Sequence, residues 1–239
     1  MDQEYSTAYA RLYREHWWWR VREEILLRKI RRILGSRTTG ARILDVGCGA
    51  GLFFDALERL GHVEGIESDA LAVGQAGRWR SRIHIGELDE TFQPGGGFDL
   101  ILLLDVVEHV DRPAQLLGRA ASLLTPTGRI MITVPAFNWL WTSHDELNHH
   151  VERYTAKEIR ELMTGAGLTA IDTSYLFQSL VLPKLLVRAK EALTVHTARV
   201  PQIPSRAANI ALQAWYRSEY MLAGRLPFGS SVLAIGQRA

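Results

Sequence analysis

The 239-residue chain has a single cysteine, Cys48, which excludes an internal disulfide and a cluster of zinc-bound thiolates. It has no uncharged apolar run of about 18 residues, so no transmembrane helix is expected. The chain has no large excess of charge of one sign, since 28 basic and 26 acidic residues give a net charge of +2. This net charge predicts no strongly basic surface for nucleic acid. The segment from Met1 to Glu4 is acidic and polar, unlike a signal peptide. These absences predict a soluble cytoplasmic protein.

Short apolar runs alternate with helical patterns from residue 41 onward. Apolar residues make up 47% of the chain and charged residues 23%, as in an ordinary globular protein. Strands are predicted at 42–46, 62–67, 81–85, 98–104 and 129–134, with helices at 52–61, 70–77 and 112–124 and a turn at 125–128. The run 98–104 is apolar except for Asp99, as in a strand buried on both faces. This alternation predicts an α/β fold with a parallel, doubly wound sheet.

Helical patterns also flank this alternating region. Residues 5–34 read as one helix, in which Trp17, Trp18 and Trp19 cannot all face the same side. Residues 136–154 show no clear period, and Thr155 and Glu158 then form a capping box for another helix. Strands at 168–176 and 230–236 follow, separated by the mostly helical segment 177–228.

A glycine cluster follows the first predicted strand where a helix should begin. Gly47, Gly49 and Gly51 are spaced G-x-G-x-G, and leucine at position 52 excludes the longer G-x-G-x-x-G spacing of dinucleotide sites. Glycines let backbone amides approach a ligand, and a helix N-terminus favours negative charge. Glu67, at the end of the second predicted strand, can accept both ribose hydroxyls of an adenosine. A tight strand–helix turn would explain the glycines alone but not the added Glu67.

At this point the sequence resembles the class I S-adenosylmethionine-dependent methyltransferases over residues 40–176. Segments 43–51 and 65–69 resemble the first two motifs of that family, and 98–110 its fourth-strand motif. Segment 123–129 resembles the fifth motif, with Thr125 and Thr127 in place of the usual lysine and glycine. The resemblance is closest to the small-molecule branch, of methyltransferase 11/23 type, which includes quinone-biosynthetic enzymes. Residues 226–231 also resemble bacterial members with a long insertion before the last strand.

The resemblance implies a Rossmann-like, seven-stranded mixed sheet whose last strand is antiparallel, and S-adenosyl-L-methionine as the cofactor. It places the methionine part of the cofactor on the glycine turn and the fourth strand, the ribose on Glu67, and the adenine near Glu87. The implied cofactor-binding set is Asp45, Gly47, Cys48, Gly49, Gly51, Glu67, Ser68, Glu87, Leu88, Leu104, Asp105 and Val106. Glu87 would equally suit a solvated loop, and Cys48 is expected to pack as a small residue and not to react.

Histidines are the candidates for acid–base chemistry. Methyl transfer from a sulfonium is an in-line displacement, so the protein must align the acceptor and exclude water. A hydroxyl acceptor also needs a base, and histidine suits neutral pH. Of the four histidines after the fourth and fifth strands, His109, His144, His149 and His150, we predict His109 and His150 as catalytic. Both would equally suit a role in which they orient loops through hydrogen bonds.

A metal site is the alternative for the same segment. Asp105, Glu108 and His109, with a later histidine, resemble the magnesium site of small-RNA 2′-O-methyltransferases and some quinone O-methyltransferases, which carry glutamate where Asp105 stands. The glutamate–histidine pair also occurs in relatives without a metal, and we therefore assign no metal ligand.

The chain is predicted to divide into an N-terminal helical extension (1–40), a cofactor-binding core (41–176), a helical insertion (177–228) and a final core strand (229–239). Tyr9, the three tryptophans and Arg22 would either form a lid over the cofactor, where aromatic rings attract a sulfonium, or pack on the sheet. The insertion begins with an apolar stretch, 177–183, followed by cations. It could cover an apolar substrate, form a homodimer or contact a membrane surface.

The function predicted first is methylation, on oxygen or nitrogen, of a small metabolite such as a natural product, quinone or sugar precursor. A nucleic-acid methyltransferase is the first alternative. It is disfavoured by the lack of a basic stripe, of an asparagine-proline-proline-tyrosine motif and of an RNA module. A non-catalytic cofactor-binding or scaffolding protein is the second, because an intact glycine turn with Glu67 argues for binding but does not prove turnover.

Overall fold

The computed structural model describes residues 3–35, 40–194, 200–222 and 226–239. Its helices are α1 (Gln3–Glu15), α2 (Trp17–Leu34), α3 (Phe54–Leu57), α4 (Ala70–Gly74), α5 (Pro113–Ser122), α6 (Ser143–Leu147), α7 (Ala156–Gly165), α8 (Val181–Leu193) and α9 (Arg206–Leu222). Its strands are β1 (Arg42–Val46), β2 (His62–Glu67), β3 (Ile83–Ile85), β4 (Phe98–Leu104), β5 (Leu124–Pro135), β6 (Leu168–Leu176) and β7 (Ser231–Arg238).

All seven strands form one sheet, in the order β3-β2-β1-β4-β5-β7-β6. The strands β1 to β5 pair in parallel, whereas β7 lies antiparallel to both β5 and β6. The predicted seven-stranded mixed sheet with an antiparallel last strand is therefore confirmed. The strand order reverses between β1 and β4, and open α/β sheets bind ligands beyond the carboxyl ends of their strands at such a point.

Helices cover both faces of the sheet, as the continuously apolar strands require. On one face, Ile43, Leu100 and Leu102 pack in a cluster with buried residues of α2 and α3. On the other face, Leu44 and Ile101 pack in a cluster with buried residues of α5 and α7. Full burial of each such side chain contributes about 1.5–3 kcal/mol. The sheet is thus a rigid base for the residues at its carboxyl edge.

The prediction of one helix over residues 5–34 was wrong, because the helix breaks at His16. His16 has extended backbone angles, and its Nδ1 accepts the N–H of Trp18, so that it caps α2. The apolar periodicity runs through the break, which is why the sequence pattern did not reveal it. The two helices still contact each other, as the T-shaped pair of Tyr9 and Trp19 shows.

The turn predicted at 125–128 was also wrong, because β5 begins already at Leu124. Leu124 pairs with Phe98, and a register irregularity follows before Leu100 pairs with Arg129. Thr125 Oγ1 donates to Asp99 Oδ1 at 3.3 Å and fastens this part of the strand to β4. The helices predicted at 52–61, 70–77 and 112–124 and the strand predicted at 81–85 are all shorter in the structure.

The insertion forms two helices, α8 and α9, that are joined by side-chain hydrogen bonds. Both carboxylate oxygens of Glu219 accept backbone N–H groups ahead of α8, from Gln178 at 2.9 Å and Ser179 at 2.7 Å. Helix α9 also packs on α2, where the Tyr216 and Trp17 rings stack with centroids 4.5 Å apart. Parts of the predicted extension and insertion, 36–39, 195–199 and 223–225, lie outside the described residues. None of the helices in the described ranges is long and apolar enough to cross a membrane.

Candidate active site

A cavity of about 1920 Å³ opens at the carboxyl edge of the sheet. The last or nearly last residues of four parallel strands line it: Val46 of β1, Glu67 of β2, Leu104 of β4 and Pro135 of β5. Parallel strands bring their carboxyl ends to one edge of a sheet, so segments far apart in the sequence meet here. The cavity is therefore the candidate active site.

The glycine turn forms one wall of the cavity. Gly47 and Gly49 have positive φ angles of 69° and 55°, which residues other than glycine rarely adopt. A Cβ atom at Gly47 would lie 2.7 Å from Cγ2 of Val106, so no larger residue fits against β4 there. A Cβ at Gly49 would meet no atom within 4 Å, because that side of the turn is open. The turn thus offers bare backbone to a ligand.

Glu67 is fixed at the rim of this turn by backbone donors. Gly49 N–H donates to Oε2 of Glu67 at 2.8 Å, and Asp69 N–H donates to Oε1 at 2.8 Å. Each carboxylate oxygen has more than one acceptor site, so both retain capacity for a further donor. The carboxylate can therefore accept further hydrogen bonds from a ligand, and its ribose role stays a prediction.

The cavity brings together most of the predicted cofactor-binding and catalytic residues. Those that line it are Gly47, Cys48, Gly49, Glu67, Ser68, Glu87, Leu88, Leu104, Asp105, Val106, His109 and His150. Asp45 is buried and instead lines a small adjoining cavity with Tyr9 and Cys48. Gly51 lines neither cavity, and its N–H donates to the Cys48 carbonyl at 2.9 Å. Gly51 is thus positioned to shape the turn.

Asp105 follows β4 and is held by residues from two other elements. It has a positive φ of 59°, which is uncommon for a residue with a side chain. Its Oδ2 forms an ion pair with Arg22 of α2 at 2.8 Å, and its Oδ1 accepts the Thr133 hydroxyl of β5 at 2.9 Å. Arg22 also donates to Thr133 Oγ1 at 2.9 Å. This closed triangle ties the N-terminal helix to the cavity wall.

Helix α2 serves as both a core helix and a cavity wall. Its buried residues Val21, Ile25 and Ile30 pack on the sheet. Its first turn, with Trp17, Trp18 and Trp19, lines the cavity together with Tyr9 of α1. The first turn of α2 thus lines the cavity while later residues of the same helix pack on the sheet, and a lid over the cofactor stays a prediction.

His109 and His150 meet edge to face across the cavity wall, with ring centroids 4.8 Å apart. Nδ1–H of His150 donates to Asp145 Oδ1 at 2.8 Å, and Nδ1–H of His109 donates to the His149 carbonyl at 3.4 Å. Donation through Nδ1 leaves Nε2 of each ring as the basic atom. Two neighbouring histidines are thus held in tautomers that can accept a proton.

Asp145 is fully buried and carries an unusual number of hydrogen bonds. Arg153 donates to both of its oxygens, at 2.8 and 2.7 Å, and the Thr142 N–H donates at 2.8 Å. Arg153 is itself 1% exposed and donates to the Ala136 carbonyl at 3.0 Å. This network fixes the irregular segment 136–154 and, through Asp145, the His150 ring.

Glu108 is the one carboxylate of this wall that is buried without a hydrogen bond. It is 1% exposed, and neither side-chain oxygen has a partner among the described residues. One ligand atom each of Glu108, His109 and His150 lie within 4.8 Å of one another, a grouping that could hold a metal ion. A buried polar group without a partner destabilises the folded state by about 1–3 kcal/mol. Binding of a ligand or a proton to Glu108 would reduce this cost.

Residues 18–173, more than half of the chain, match the family model described as a methyltransferase domain. The chain belongs to the methyltransferase domain family. The match begins at α2, so the first turn of α2 and Arg22 are part of the domain, and it ends within β6.

Similar proteins agree with this family. A ubiquinone biosynthesis O-methyltransferase of Rhodopseudomonas palustris is 35% identical over 111 residues, which are 44% of this chain and 44% of that protein. The chain thus spans less than half the length of this relative. A Mycolicibacterium smegmatis protein named as a probable S-adenosylmethionine-dependent methyltransferase is 28% identical over 74% of this chain and 69% of that protein.

The fold of the methyltransferase domain also has counterparts among solved structures. Magnesium protoporphyrin IX methyltransferase from Synechocystis PCC 6803, solved with bound SAH, aligns with a TM-score of 0.56. The alignment covers 92% of this chain and 84% of that chain at 14% identity. At this identity the likeness concerns the fold.

The electrostatics of the methyltransferase domain differ between the two ends of its cavity. At the glycine turn, burial raises the pKa of Asp45 to about 7, although the nearby Arg22 guanidinium opposes the rise. At the histidine end, burial lowers the pKa of His109, and His150 lowers it further. Burial alone would raise the pKa of Asp145, but its bonds to His150 and Arg153 hold that pKa well below the usual range. His109 is therefore neutral at neutral pH, and its neighbour His150 is bonded to the ionised Asp145.

Burial also raises the pKa of Glu108 well above its ordinary value, and the neighbouring Asp105 adds to the rise. Sequence reasoning assigned no site role to Arg153, Thr133 or Lys184, all of which contact or line the site of the methyltransferase domain. A signal was present for Arg153, which lies in the aperiodic segment 136–154 close to His149 and His150. No local signal marked Thr133 or Lys184, because only the fold brings β5 and α8 to the cavity.

Proposed function

We propose that this protein is an S-adenosylmethionine-dependent methyltransferase that acts on a small-molecule acceptor. The observation that carries the proposal is that one cavity joins the Glu67 carboxylate at the glycine turn to the Asp145–His150–His109 group. A nucleoside cofactor fits the first part and a proton-accepting reaction fits the second. The family match and the named relatives support the same reaction class.

The glycine turn and the acidic residues of this cavity fit S-adenosylmethionine. The bare turn at Gly47 and Gly49 admits close approach of a ligand, and Glu67 is held to accept hydroxyl donors. Glu87 and Leu88 line the same cavity and would adjoin the adenine, while Asp105 and Val106 would adjoin the methionine part. When bound, the cofactor supplies an electrophilic methyl group on a sulfonium.

His109 and His150 can remove a proton from the acceptor. If the acceptor is a hydroxyl, Nε2 of His109 or His150 takes its proton, and Asp145 stabilises the imidazolium formed on His150. Because burial lowers the pKa of His109, that ring stays neutral and able to accept a proton at neutral pH. Residues of α1, α2 and α8 line the same cavity and would limit the access of water to a bound acceptor.

A metal ion at Glu108, His109 and His150 is the second candidate role for the same wall. It is favoured by the two orphaned oxygens of Glu108 and by ligand atoms within 4.8 Å of one another. A divalent ion would lower the pKa of a bound hydroxyl in place of a general base. Loss of turnover on treatment with a chelator, restored by Mg²⁺, would decide for the metal and against a histidine base.

A small-molecule acceptor is favoured over nucleic acid and over a purely non-catalytic role. The net charge of +2 provides little attraction for a polyanion. Leu180, just before α8, and Pro183 and Val187 of α8 line the cavity with apolar side chains, which suits a compact acceptor with apolar parts. A scaffolding protein would have no need of two adjacent histidines that line this cavity.

The outer face of the insertion is the place for the predicted membrane contact or homodimer. Leu182 and Leu186 of α8 are each 64% exposed, and Leu193 is 85% exposed. Arg188 and Lys190 are exposed beside them, whereas the acidic Glu191 is bonded to Ser143. Exposed leucines flanked by cations suit an anionic lipid surface better than a second copy of the same helix, and we therefore favour peripheral membrane contact.

The test combines binding and turnover on the full chain. Calorimetry with S-adenosylmethionine and with SAH is expected to show binding, and NAD is expected not to bind. Release of SAH is then followed with a panel of catechols, phenols and amines, in parallel with a nucleic-acid titration at several salt concentrations. Binding of NAD in preference to S-adenosylmethionine would overturn the assignment, and cofactor binding without any turnover would favour the scaffolding alternative.

A further inference from the structure

Helix α8 presents one face of its first two turns to the cavity. The lining residues Leu180, Pro183, Lys184 and Val187 are spaced three and four apart, which places them on one side of the helix. Three of the four are apolar, and Lys184 is the charged member. It lies beside the histidine end, where Thr142, His144, His150 and Arg153 also line the cavity.

Lys184 differs from the arginines around it in having no partner for its charge. Arg22 is paired with Asp105, Arg153 with Asp145, and Arg119 with the backbone carbonyls of Asp89 and Phe92. No hydrogen bond or ion pair joins the Lys184 ammonium to any described residue. Unpaired lysines are ordinary on a surface, but a half-buried one at a cavity wall is less well solvated than a surface lysine.

The surroundings confirm that this ammonium is poorly compensated. Burial lowers the pKa of Lys184 to about 8, and the guanidinium of Arg153 lowers it further. Asp145 and Asp105 oppose the change, but each is already engaged by an arginine. The charge of Lys184 also contributes, after burial, to the lowered pKa of His144. An added anion at this point would relieve a cost that the free protein carries.

We propose that Lys184 binds an anionic group of the methyl acceptor, a carboxylate or a phosphate. Leu180, Pro183 and Val187 on the same helix face would hold the apolar part of that acceptor. This inference rests on the proposed function and narrows it: the acceptor is an amphiphilic anion, oriented by Lys184 so that its nucleophile faces His109 and His150. Lys184 is thus a specificity-determining residue that acts through binding.

A titration that needs no turnover tests the contact. The chain has four lysines, Lys29, Lys157, Lys184 and Lys190, so reductive ¹³C-methylation gives few NMR signals, and Lys184→Arg identifies the one of interest. In the presence of SAH, benzoate and phenyl phosphate are expected to raise the titration midpoint of the Lys184 signal by about 1 pH unit. Benzamide is expected to leave it unchanged. A midpoint that neither anion moves would overturn the inference.

Kinetics on a matched pair of probes gives the second readout. With 3,4-dihydroxybenzoate and its neutral amide, Lys184→Met is expected to lower kcat/KM for the acid by about 10- to 100-fold, mainly through KM, and to leave the amide unaffected. Lys184→Arg should retain the preference, and Lys190→Met on the exposed side of α8 is the control. Equal losses on acid and amide would overturn the inference and indicate a structural role or a base.

The two failures are distinguishable. If SAH does not bind in calorimetry, the proposed function itself fails. If SAH binds and acceptors are turned over but neither probe pair responds to the charge at position 184, only the role of Lys184 fails. The NMR titration decides the contact whether or not 3,4-dihydroxybenzoate is turned over.

Discussion

The side-chain amide of Asn209 bridges the break between the two N-terminal helices at Trp17. Its Oδ1 accepts the Trp17 N–H at 2.8 Å, and its Nδ2 donates to the Glu15 carbonyl at 2.8 Å. A helix break exposes backbone groups that need partners, and here α9 of the insertion supplies them. Tyr216 stacks on Trp17 about two turns further along α9, and Arg217 pairs with Glu24 of α2. The insertion therefore holds the aromatic cavity wall in place.

Replacing Asn209 by alanine is expected to destabilise the fold by about 1–3 kcal/mol, because two backbone groups lose their partners. Urea denaturation measures the loss, and Gln202→Ala, at an exposed position before α9, is the control. The same variant should weaken S-adenosylmethionine binding, since Trp17 to Trp19 line the cavity. Unchanged stability would show that the break does not depend on the insertion.

Glu67→Ala is expected to weaken binding of both S-adenosylmethionine and SAH by about 1.5–3 kcal/mol, the contribution of a hydrogen bond to a charged group. Calorimetry at constant pH measures the change. Glu64→Ala is the matched control, because Glu64 lies on the same strand but pairs with Arg42 away from the cavity. Equal affinity of the Glu67 variant and the unmodified chain would reject Glu67 as the ribose acid.

Asp45 should give the cofactor affinity a pH dependence. Its pKa of about 7 means that the carboxyl is protonated below neutrality and ionised above it. Only the ionised form attracts the ammonium of the methionine part, so SAH affinity is expected to rise between pH 6 and pH 8, by up to about tenfold per pH unit below the pKa. Asp45→Asn should bind SAH more weakly at pH 8 and show a flatter profile. Parallel profiles for both proteins would contradict this role.

The raised pKa of Asp45 also predicts how the stability of the free protein depends on pH. Stability should fall as pH rises, whereas cofactor affinity should increase. The pKa of Asp45 is higher in the folded state than the usual value near 3.8, so the unfolded chain loses this proton first. The folded state is therefore destabilised as pH rises from about 4 to about 7, after which the effect is complete. Asp45→Asn removes this destabilising charge. The variant should therefore be more stable, relative to the unmodified chain, at pH 8 than at pH 5. Urea denaturation at the two pH values checks the sign.

His109→Ala and His150→Ala are expected to lower turnover of a hydroxyl acceptor by about 10²–10⁴-fold with little change in SAH affinity. The control is His84→Ala, an exposed histidine on β3. The lowered pKa of His109 further predicts that kcat/KM falls only below the ordinary histidine value of 6.5. A smaller loss is expected for an amine acceptor, which needs alignment more than a base. Near-full turnover of a hydroxyl acceptor by both variants would reject the histidine base.

The outer face of α8 predicts binding to anionic vesicles. Cosedimentation with phosphatidylglycerol-containing vesicles should fall several-fold in the Leu182→Ser, Leu186→Ser double variant, because both leucines are 64% exposed. Leu71→Ser, which removes an equally exposed leucine near β2, is the control. Light scattering in the absence of vesicles is run alongside. A dimer that the double variant dissociates would assign this face to a second copy of the chain.

The sequence by itself determined most of the strands of the sheet and predicted the cofactor-binding residues at the glycine turn. The bounds of β1, β2, β4 and β6 match the predicted runs 42–46, 62–67, 98–104 and 168–176 residue for residue. The β4 run is readable because a strand buried on both faces is apolar along most of its length, whereas β1, β2 and β6 are shorter or more polar runs that stand out between turns and helical patterns. The glycine turn and Glu67 are readable for a similar reason, since a strand, a turn and the next strand place them within 22 residues of Asp45.

The tertiary structure alone decided the break at His16, the burial of Glu108 and the position of Lys184. The break depends on Asn209, which lies 192 residues from Trp17 in the chain, and no periodicity within 5–34 reports it. Glu108 and Lys184 have polar side chains that a sequence pattern assigns to solvent. They are withdrawn from water only because β4, the segment 136–154 and α8 converge on one cavity. Whether a charged side chain is buried depends on which elements pack around it, and the local sequence does not specify that packing.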